Sequence, residues 1–347
     1  MTIRLRTAFF IGLGIIILWF LYIERAILTP FILGAIFAYV FNPVINFITH
    51  RIKLPRTLSV IIIYLIIVGV IVFLGAIAAR QILTESTELR HFSENFIKVT
   101  KDQVHALPDW LRPEADSVLL SIEKSRFVSS SSLFTFFPRA LSGFFAFLVF
   151  LFSGFYFLKD GGKIFEKIVV YVPHEYKLDI EILFRKINSV FGDYLRGQIF
   201  MIFFVATVLF IALTVLGIRF ALILAVLSGF AEIVPIIGPV VAGTVAAITV
   251  LVNGQVNFGL TPFSGAITVL IIYTVVRQFQ DYFVVPNVMG KIAKLHPVLI
   301  LFSALAGEHI AGILGLVLAV PAAAAIRIML EFFLNQINER TYSAQKS

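Results

Sequence analysis

Long uncharged runs dominate this sequence and restrict what it can fold into. From Ile233 to Val276 no residue is charged, and Thr57–Ala79, Ala140–Leu158 and Gly197–Ile218 are further uncharged runs. An α-helix needs roughly 20 apolar residues to cross the hydrocarbon core of a bilayer. Each unpaired backbone polar group left in lipid costs several kcal/mol, so apolar spans must be helical or shielded by protein. The runs therefore predict an all-α integral membrane protein.

The composition agrees with a chain that lies in the lipid bilayer. Hydrophobic residues make up 59% and charged residues only 14%, and mean hydropathy is +0.98. Soluble domains carry about 25% charged residues. The formal charge of +8 fits cytoplasmic Lys and Arg that set membrane orientation, so we expect no nucleic-acid partner. There is no cysteine, which excludes disulfides, thiolate metal sites and cysteine nucleophiles.

Residues 1–79 predict three transmembrane helices, Ala8–Ile23, Ala26–Thr49 and Thr57–Ala79. The first is expected to be a retained helix rather than a secretory signal, because residues 22–25 contain no small-x-small cleavage site. The short loop after the second helix holds Arg51, Lys53 and Arg56. Short basic loops favour the cytoplasm, which places the N-terminus there as well.

The following segments alternate between amphipathic and apolar character. Residues 80–139 predict amphipathic helices outside the cytoplasm, residues 140–158 a transmembrane helix, and residues 159–196 cytoplasmic amphipathic helices. Within the last segment, Asp160-Gly161-Gly162 predicts a turn. Residues 335–347 are expected to form a cytoplasmic tail.

Residues 197–334 predict a transport core in which full spans alternate with short apolar pairs. The spans are Gly197–Leu216 and Thr261–Tyr282. The pairs are Ala221–Val234 with Val240–Val252, joined by Pro235 to Pro239, and Pro297–Ala306 with Ile310–Val320, joined by Gly307-Glu308-His309. This order favours a multi-span helical bundle with two re-entrant helical hairpins in a possible inverted repeat. Two independent lipid-facing helix pairs with polar loops are the alternative.

Three charged residues stand out in this core. Glu232 lies in an otherwise apolar stretch, where a charge is costly unless it is paired or hydrated. Arg277 is the nearest plausible counter-ion by type, and Asp281 follows it by four residues on the same helix face. We predict that these residues bind substrate or ions. A structural salt bridge, or a cap at the broken helix, is the alternative for Glu232. An interfacial ion pair is the alternative for Arg277 and Asp281.

The proposed hairpin tips supply the remaining candidates. Pro235, Gly238 and Pro239 at the first tip and Gly307 at the second would open backbone N–H and C=O groups that can bind an ion or a hydroxylated solute. Gly238, Gly307, Gly312 and Gly315 allow close helix contact or unusual backbone angles. Glu308 and His309 at the second tip suit proton coupling, or are merely solvated if the loop reaches water.

Catalysis and metal binding receive no support from the sequence. The six histidines show no ligand spacing, so we predict no metal site and no cofactor. No GxxxxGK[ST] loop, GxSxG elbow or HExxH motif is present. We therefore expect neither ATP-driven transport within this chain nor an enzyme.

Several motifs together resemble the autoinducer-2 exporter (AI-2E) family of bacterial membrane proteins. They are Asp193-Tyr194-Leu195-Arg196-Gly197-Gln198, Pro235-Ile236-Ile237-Gly238-Pro239, Pro286 to Lys291 followed by Leu295-His296-Pro297, and Gly312-Ile313-Leu314-Gly315 with Ala319-Val320-Pro321. The resemblance implies a bacterial inner-membrane permease and a homo-oligomer. Family members are described as exporters of autoinducer-2, and some as sodium/proton antiporters. Because members differ in this way, the resemblance does not fix the substrate. This chain departs from the family pattern at Ile236, at Asp281 and at Glu308-His309.

These observations favour a secondary transporter of a small solute, with a site formed at the two hairpin tips. A sodium/proton antiporter is the alternative within transport. A membrane scaffold or regulator that acts through residues 80–139 and 159–196, without transport, is the alternative from another class. We expect a multi-pass protein of the bacterial inner membrane with both termini in the cytoplasm.

Overall fold

The computed structural model describes residues 23–84, 133–170, 172, 174–253, 256–289 and 295–346, together with residues 12, 14, 16, 19 and 20. Every regular element within these ranges is helical, which confirms the all-α prediction. Most of the predicted first helix and most of the segment 80–139 lie outside the described residues.

Nine α-helices are described, and two short elements of other pitch accompany them. The α-helices are α1 (Arg25–Arg51), α2 (Arg56–Thr84), α3 (Leu133–Val170), α4 (Lys177–Val215), α5 (Ala221–Ala231), α6 (Ile237–Asn253), α7 (Pro262–Phe279), α8 (Val285–Met289) and α9 (Pro297–Lys346). A 3₁₀ turn, His174–Tyr176, precedes α4, and a π-helix, Gln280–Val284, joins α7 to α8. The amphipathic stretch before residue 197 runs without a break into the apolar span that follows it, because both belong to one helix, α4.

Five helices in the described part of the chain are long and apolar enough to cross a membrane. The candidate spans are Ile27–Arg51, Gly143–Lys163, Lys177–Val215, Pro262–Asn287 and Pro297–Asn335. Their large side chains are widely exposed, Phe47, Phe152 and Phe203 among them. An apolar surface of this extent needs lipid around it. The chain is therefore a multi-pass membrane protein.

The described chain divides into two compact units. The first, unit 1, comprises Met1–Val60, Ala140–Arg196 and Lys291–Ser347. The Arg56 side chain ties three of its helices together: it donates to Asn42 and Asn46 of α1 and to the Leu158 carbonyl of α3, at 2.8–2.9 Å. These neutral acceptors satisfy a guanidinium that is partly buried.

The second unit, unit 2, comprises Ile61–Arg139 and Gly197–Gly290. Helix α6 packs against both α5 and α7, and a buried cluster that includes Leu213, Val250 and Val269 fills the space between helices. Small residues such as Ala246 and Ala266 are buried in the same cluster. In a membrane, helices associate through close van der Waals packing rather than through escape from water, and small residues allow that approach.

Three predicted breaks differ from the structure. Helix α3 continues through the predicted turn at Asp160-Gly161-Gly162, where Asp160 and Lys163 form an i,i+3 ion pair at 3.0 Å. The first hairpin turn occupies residues 232–236 rather than 235–239, and Pro239 lies in the first turn of α6. A proline costs little there, because the first N–H groups of a helix have no partner within it. Helix α9 also passes the predicted end at Leu334 and reaches Lys346.

The break predicted for the second hairpin also lies at a different position in the structure. Gly307, Glu308 and His309 are helical, and the non-helical residues are Ala311 and Gly312. Gly312 has φ 59° and ψ −139°, a conformation that essentially only glycine adopts. Across this kink the backbones of Gly307 and Gly315 touch, because a Cβ on either glycine would overlap the carbonyl of the other. In a straight helix residues eight apart lie about 12 Å from each other, so the chain turns back on itself at Gly312.

Candidate functional site

The turn between α5 and α6 carries the acidic residue Glu232 and has an unusual backbone conformation. Helix α5 ends at Ala231, and Glu232 begins a tight turn in which Ile236 has φ 68°. A β-branched residue rarely adopts a positive φ, so surrounding contacts must hold it there. One such contact comes from Gln198 at the start of the apolar part of α4, whose Nε2 donates to the Glu232 carbonyl at 2.9 Å.

Close backbone approach fixes the same turn. A Cβ at Gly238 would overlap the carbonyl of Ala231, the last residue of α5. The Gly238 N–H donates back to the Val234 carbonyl at 3.0 Å. Glycine at this position therefore allows the first turn of α6 to lie against the end of α5, and this contact sets the direction in which Glu232 leaves the turn.

The Glu232 side chain is buried, with 8% of its surface exposed. Its Oε2 accepts a hydrogen bond from Gln280 Nε2 at 2.7 Å, and Arg277 Nη1 lies 3.6 Å from the same oxygen. An isolated buried carboxylate would cost several kcal/mol, and a cation with a good hydrogen-bond donor offsets that cost. Arg277, the nearest plausible counter-ion by type, thus lies close to Glu232. A binding role for the two residues stays a prediction.

Arg277 is shared between two carboxylates. Its Nε donates to Asp281 Oδ2 at 2.9 Å, which is the i,i+4 ion pair given above as the alternative to a binding role. Asp281 is 44% exposed, whereas Glu232 is buried. The guanidinium is therefore held by the exposed carboxylate and is only within Coulombic reach of the buried one.

A π-helix begins at Gln280, the residue whose side-chain amide donates to Glu232. Tyr273 and Arg277 of α7 and Gln280, the residue directly after it, follow at i, i+4 and i+7, a spacing that favours one helix face. Gln280 is the first residue of the π-helix and is 2% exposed. Single π turns inside α-helices frequently occur at functional sites, because the extra residue changes the direction of the side chains.

Two hydroxyl groups extend this polar cluster away from Arg277. Ser228 Oγ lies 2.7 Å from Tyr273 Oη and donates to the Leu224 carbonyl at 2.7 Å. A cavity of about 10 Å³, room for about one water molecule, is lined by both hydroxyl-bearing residues and by Glu232. The lining residues are Val205, Leu209, Ser228, Glu232, Pro239, Tyr273, Val276, Arg277 and Gln280.

The structure thus brings together some of the residues predicted from the sequence. Glu232, Pro239 and Arg277 line the cavity, Asp281 pairs with Arg277, and Pro235 and Gly238 shape the turn that carries Glu232. The other three predicted residues lie in unit 1, where Gly307 packs against Gly315 and the side chains of Glu308 and His309 are exposed. A role for these three residues in binding stays a prediction.

Sequence reasoning missed Gln198, Ser228, Tyr273 and Gln280 as members of the cluster. They are neutral polar residues on apolar helices, where a hydroxyl or amide commonly bonds to its own backbone. The one available signal was spacing: Ser228 precedes Glu232 by four residues, and Tyr273 precedes Arg277 by four. That spacing places each pair on a single helix face.

Comparison with known proteins gives consistent results. The model of the "AI-2E family transporter" family matches residues 10–335. The "Putative transport protein" chains YueF and YrrI of Bacillus subtilis (strain 168) are 29% and 27% identical to this chain. These alignments cover 88% of this chain and 83% of YueF, and 93% of this chain and 91% of YrrI. The "Sodium-lithium/proton antiporter" of Halobacillus andaensis is 22% identical, over 88% of this chain and 90% of its own length.

The chain belongs to the AI-2E transporter family, because the family model covers nearly its whole length. It is a membrane transport protein by family, and its candidate spans fit that class.

Proposed function

We propose that this protein is a secondary transporter of a small solute and that the Glu232 cluster, defined as Glu232, Arg277, Gln280 and Asp281, belongs to its transport site. The observation that supports the proposal most is the buried Glu232 carboxylate at a helix turn between apolar helices. Ionisable residues within membrane segments are costly and usually mark substrate or ion pathways.

The lengths of α5 and α6 support a hairpin that enters and leaves the membrane on one side. They contain 11 and 17 residues, or roughly 16 and 25 Å at 1.5 Å per residue, against a core of about 30 Å. Both are therefore too short for comfortable crossing, and the turn at Glu232 would lie within the membrane. We extend the same interpretation to the kink at Gly312, and the inverted repeat remains part of the proposal.

The membrane arrangement is also proposed. We place the protein in the bacterial cytoplasmic membrane as a homo-oligomer, with both termini in the cytoplasm and residues 80–139 outside it. The basic loop around Arg51, Lys53 and Arg56 supports this orientation. Residues 197–334 would form the transport core.

A sodium/proton antiporter is the second candidate. The cavity beside Glu232 holds about one water-sized particle, which suits an ion better than an organic molecule of the size of autoinducer-2. A relative that bears the name "Sodium-lithium/proton antiporter" supports the same choice. If the protein is a sodium/proton antiporter, the Glu232 carboxylate would exchange a proton for the metal cation.

Flux measurements in proteoliposomes test the proposal. Glu232→Gln and Asp281→Asn are expected to abolish flux while expression and oligomer size stay unchanged, because each removes one charge from the cluster with little change in shape. Vesicles loaded with autoinducer-2 test export, and an imposed pH gradient that drives ²²Na⁺ without organic solute tests antiport. Glu331→Gln and Asp160→Asn are matched controls, since both acids form exposed ion pairs outside the cluster.

Each outcome of this experiment separates the candidates. Wild-type flux in Glu232→Gln and Asp281→Asn would remove both residues from the mechanism. Sodium movement driven by the pH gradient favours the antiporter over the exporter. A wild-type protein that moves neither probe but co-purifies with a partner protein would contradict transport and favour the scaffold alternative.

A further inference from the structure

We infer that the cavity beside Glu232 is a site for one dehydrated monovalent cation, with the Glu232 carboxylate and the Ser228 and Tyr273 hydroxyl oxygens as its ligands. This inference rests on the proposed function, since it gives the Glu232 cluster a particular ligand. All three residues line the same cavity.

The hydrogen bonds show which sign of charge the hydroxyls favour. Ser228 uses its hydroxyl hydrogen on the Leu224 carbonyl, so the 2.7 Å contact with Tyr273 must take the hydrogen of the tyrosine. Both hydroxyl hydrogens are then engaged, and each oxygen keeps lone-pair capacity. Oxygen atoms that can only accept attract a cation and repel an anion.

The Glu232 carboxylate can accept further contacts besides its hydrogen bond from Gln280. Glu232 Oε2 accepts from Gln280, and Arg277 at 3.6 Å is too distant for a hydrogen bond. An ionised carboxylate offers about four acceptor positions. Gln280 occupies one of these positions, and Glu232 lines the cavity, so the carboxylate keeps acceptor capacity for an ion bound there.

Charge and size both favour a small monovalent ion. Glu232, Arg277 and Asp281 together carry one net negative charge, which a monovalent cation would neutralise. The cavity of about 10 Å³, close to the minimum for one water, requires the cation to shed its hydration shell. Oxygen ligands suit hard cations of this kind, so sodium and lithium are the expected ions.

Asp281 has a positioning role in this arrangement. It holds the Arg277 guanidinium at 2.9 Å and so keeps this internal cation from binding Glu232 directly. Loss of the Asp281 charge would release Arg277 towards Glu232, where it would compete with the bound ion. Asp281 thus promotes cation binding although it does not line the cavity.

Equilibrium binding of ²²Na⁺ to the purified full-length protein in nanodiscs tests the inference. Ser228→Ala and Tyr273→Phe, which each remove one ligand oxygen, are expected to weaken sodium binding by about tenfold, roughly 1.4 kcal/mol. Glu232→Gln is expected to abolish it, and Asp281→Asn to weaken it. Excess lithium should displace the label, and excess potassium should displace it poorly.

The chain offers matched controls for both hydroxyl variants. Ser303→Ala removes a hydroxyl that bonds to its own helix at Leu299, and Tyr282→Phe removes an exposed one. Both should bind sodium as the wild type does. Thermal melting and size-exclusion profiles confirm that each variant is folded before its binding is compared.

The outcomes distinguish this inference from the proposed function. Undiminished sodium binding by folded Ser228→Ala and Tyr273→Phe, or a wild type that carries flux but binds no sodium, would overturn the cation site and leave the transport proposal in place. Sodium binding with the expected variant pattern, but no flux under any gradient, would support the site and overturn the transporter.

Discussion

Replacing Arg277 with methionine is expected to destabilise the protein by about 3 kcal/mol. The substitution keeps much of the side-chain length but leaves the buried Glu232 carboxylate without the cation that lies 3.6 Å from it. Gln280 still donates to Glu232, so the cost should be at the lower end of that for a broken buried pair. The measurement is the thermal melting temperature of the purified protein in nanodiscs.

A double variant separates lost pairing from lost packing. Glu232→Gln combined with Arg277→Met removes both charges, and its melting temperature should lie clearly above that of Arg277→Met alone. Glu232→Gln alone should cost less than Arg277→Met, because Arg277 keeps its bond to Asp281. Arg185→Met is the control, since its exposed pair with Glu181 contributes at most about 1 kcal/mol. Equal melting temperatures for Arg277→Met and the wild type would contradict the account of this pair.

Replacing Gly315 with valine is expected to abolish folding of unit 1 or to destabilise it by about 3 kcal/mol. A Cβ at Gly315 would overlap the carbonyl of Gly307, which is backbone and cannot rotate away. The two arms of α9 on either side of Gly312 would have to separate. Fluorescence-detected size exclusion after membrane extraction measures the folded fraction.

Gly143 provides the matched control for this substitution. It lies in α3 on an exposed face, with no atom near the position of an added Cβ. Gly143→Val should therefore express and elute as the wild type does. Normal yield and melting temperature of Gly315→Val would show that the arms of α9 do not pack through these glycines.

The spans were predictable because the length and low charge that a membrane crossing requires can be read directly from the sequence. Uncharged runs long enough to cross a bilayer correspond to four of the five candidate spans, those in α1, α3, α4 and α7. The Arg277–Asp281 pair followed from the 3.6-residue period of the helix, and the pairing of Glu232 followed from the cost of an unpaired buried charge.

The breaks were less predictable because packing decides them. Proline suggested that the first turn extends to Pro239, yet the first turn of a helix tolerates proline, so α6 begins at Ile237. Glycine and charge suggested a second break at Gly307-Glu308-His309. Gly307 instead serves as a contact surface for Gly315, and Gly312 supplies the non-helical backbone. Nothing local distinguishes a glycine that packs from a glycine that bends.

The hydroxyl and amide groups near Glu232 were unpredictable for a related reason. Ser228 and Tyr273 meet across 45 positions of sequence, and Gln280 meets Glu232 across 48. A neutral polar side chain in an apolar helix carries no signal about which distant helix it contacts. The π-helix at Gln280 has no marker in the sequence that we can identify.

The absence of cysteine from the chain makes possible a direct test of the central claim that transport passes through the site at Glu232. Val276→Cys places a single thiol on the cavity wall, and Val275→Cys places one on an exposed face of the same helix. Flux is measured before and after a thiol reagent has reacted to completion, as judged by mass. We expect labelled Val276→Cys to lose flux and labelled Val275→Cys to retain it, because an adduct fills a cavity of about 10 Å³. Undiminished flux through fully labelled Val276→Cys would contradict the account.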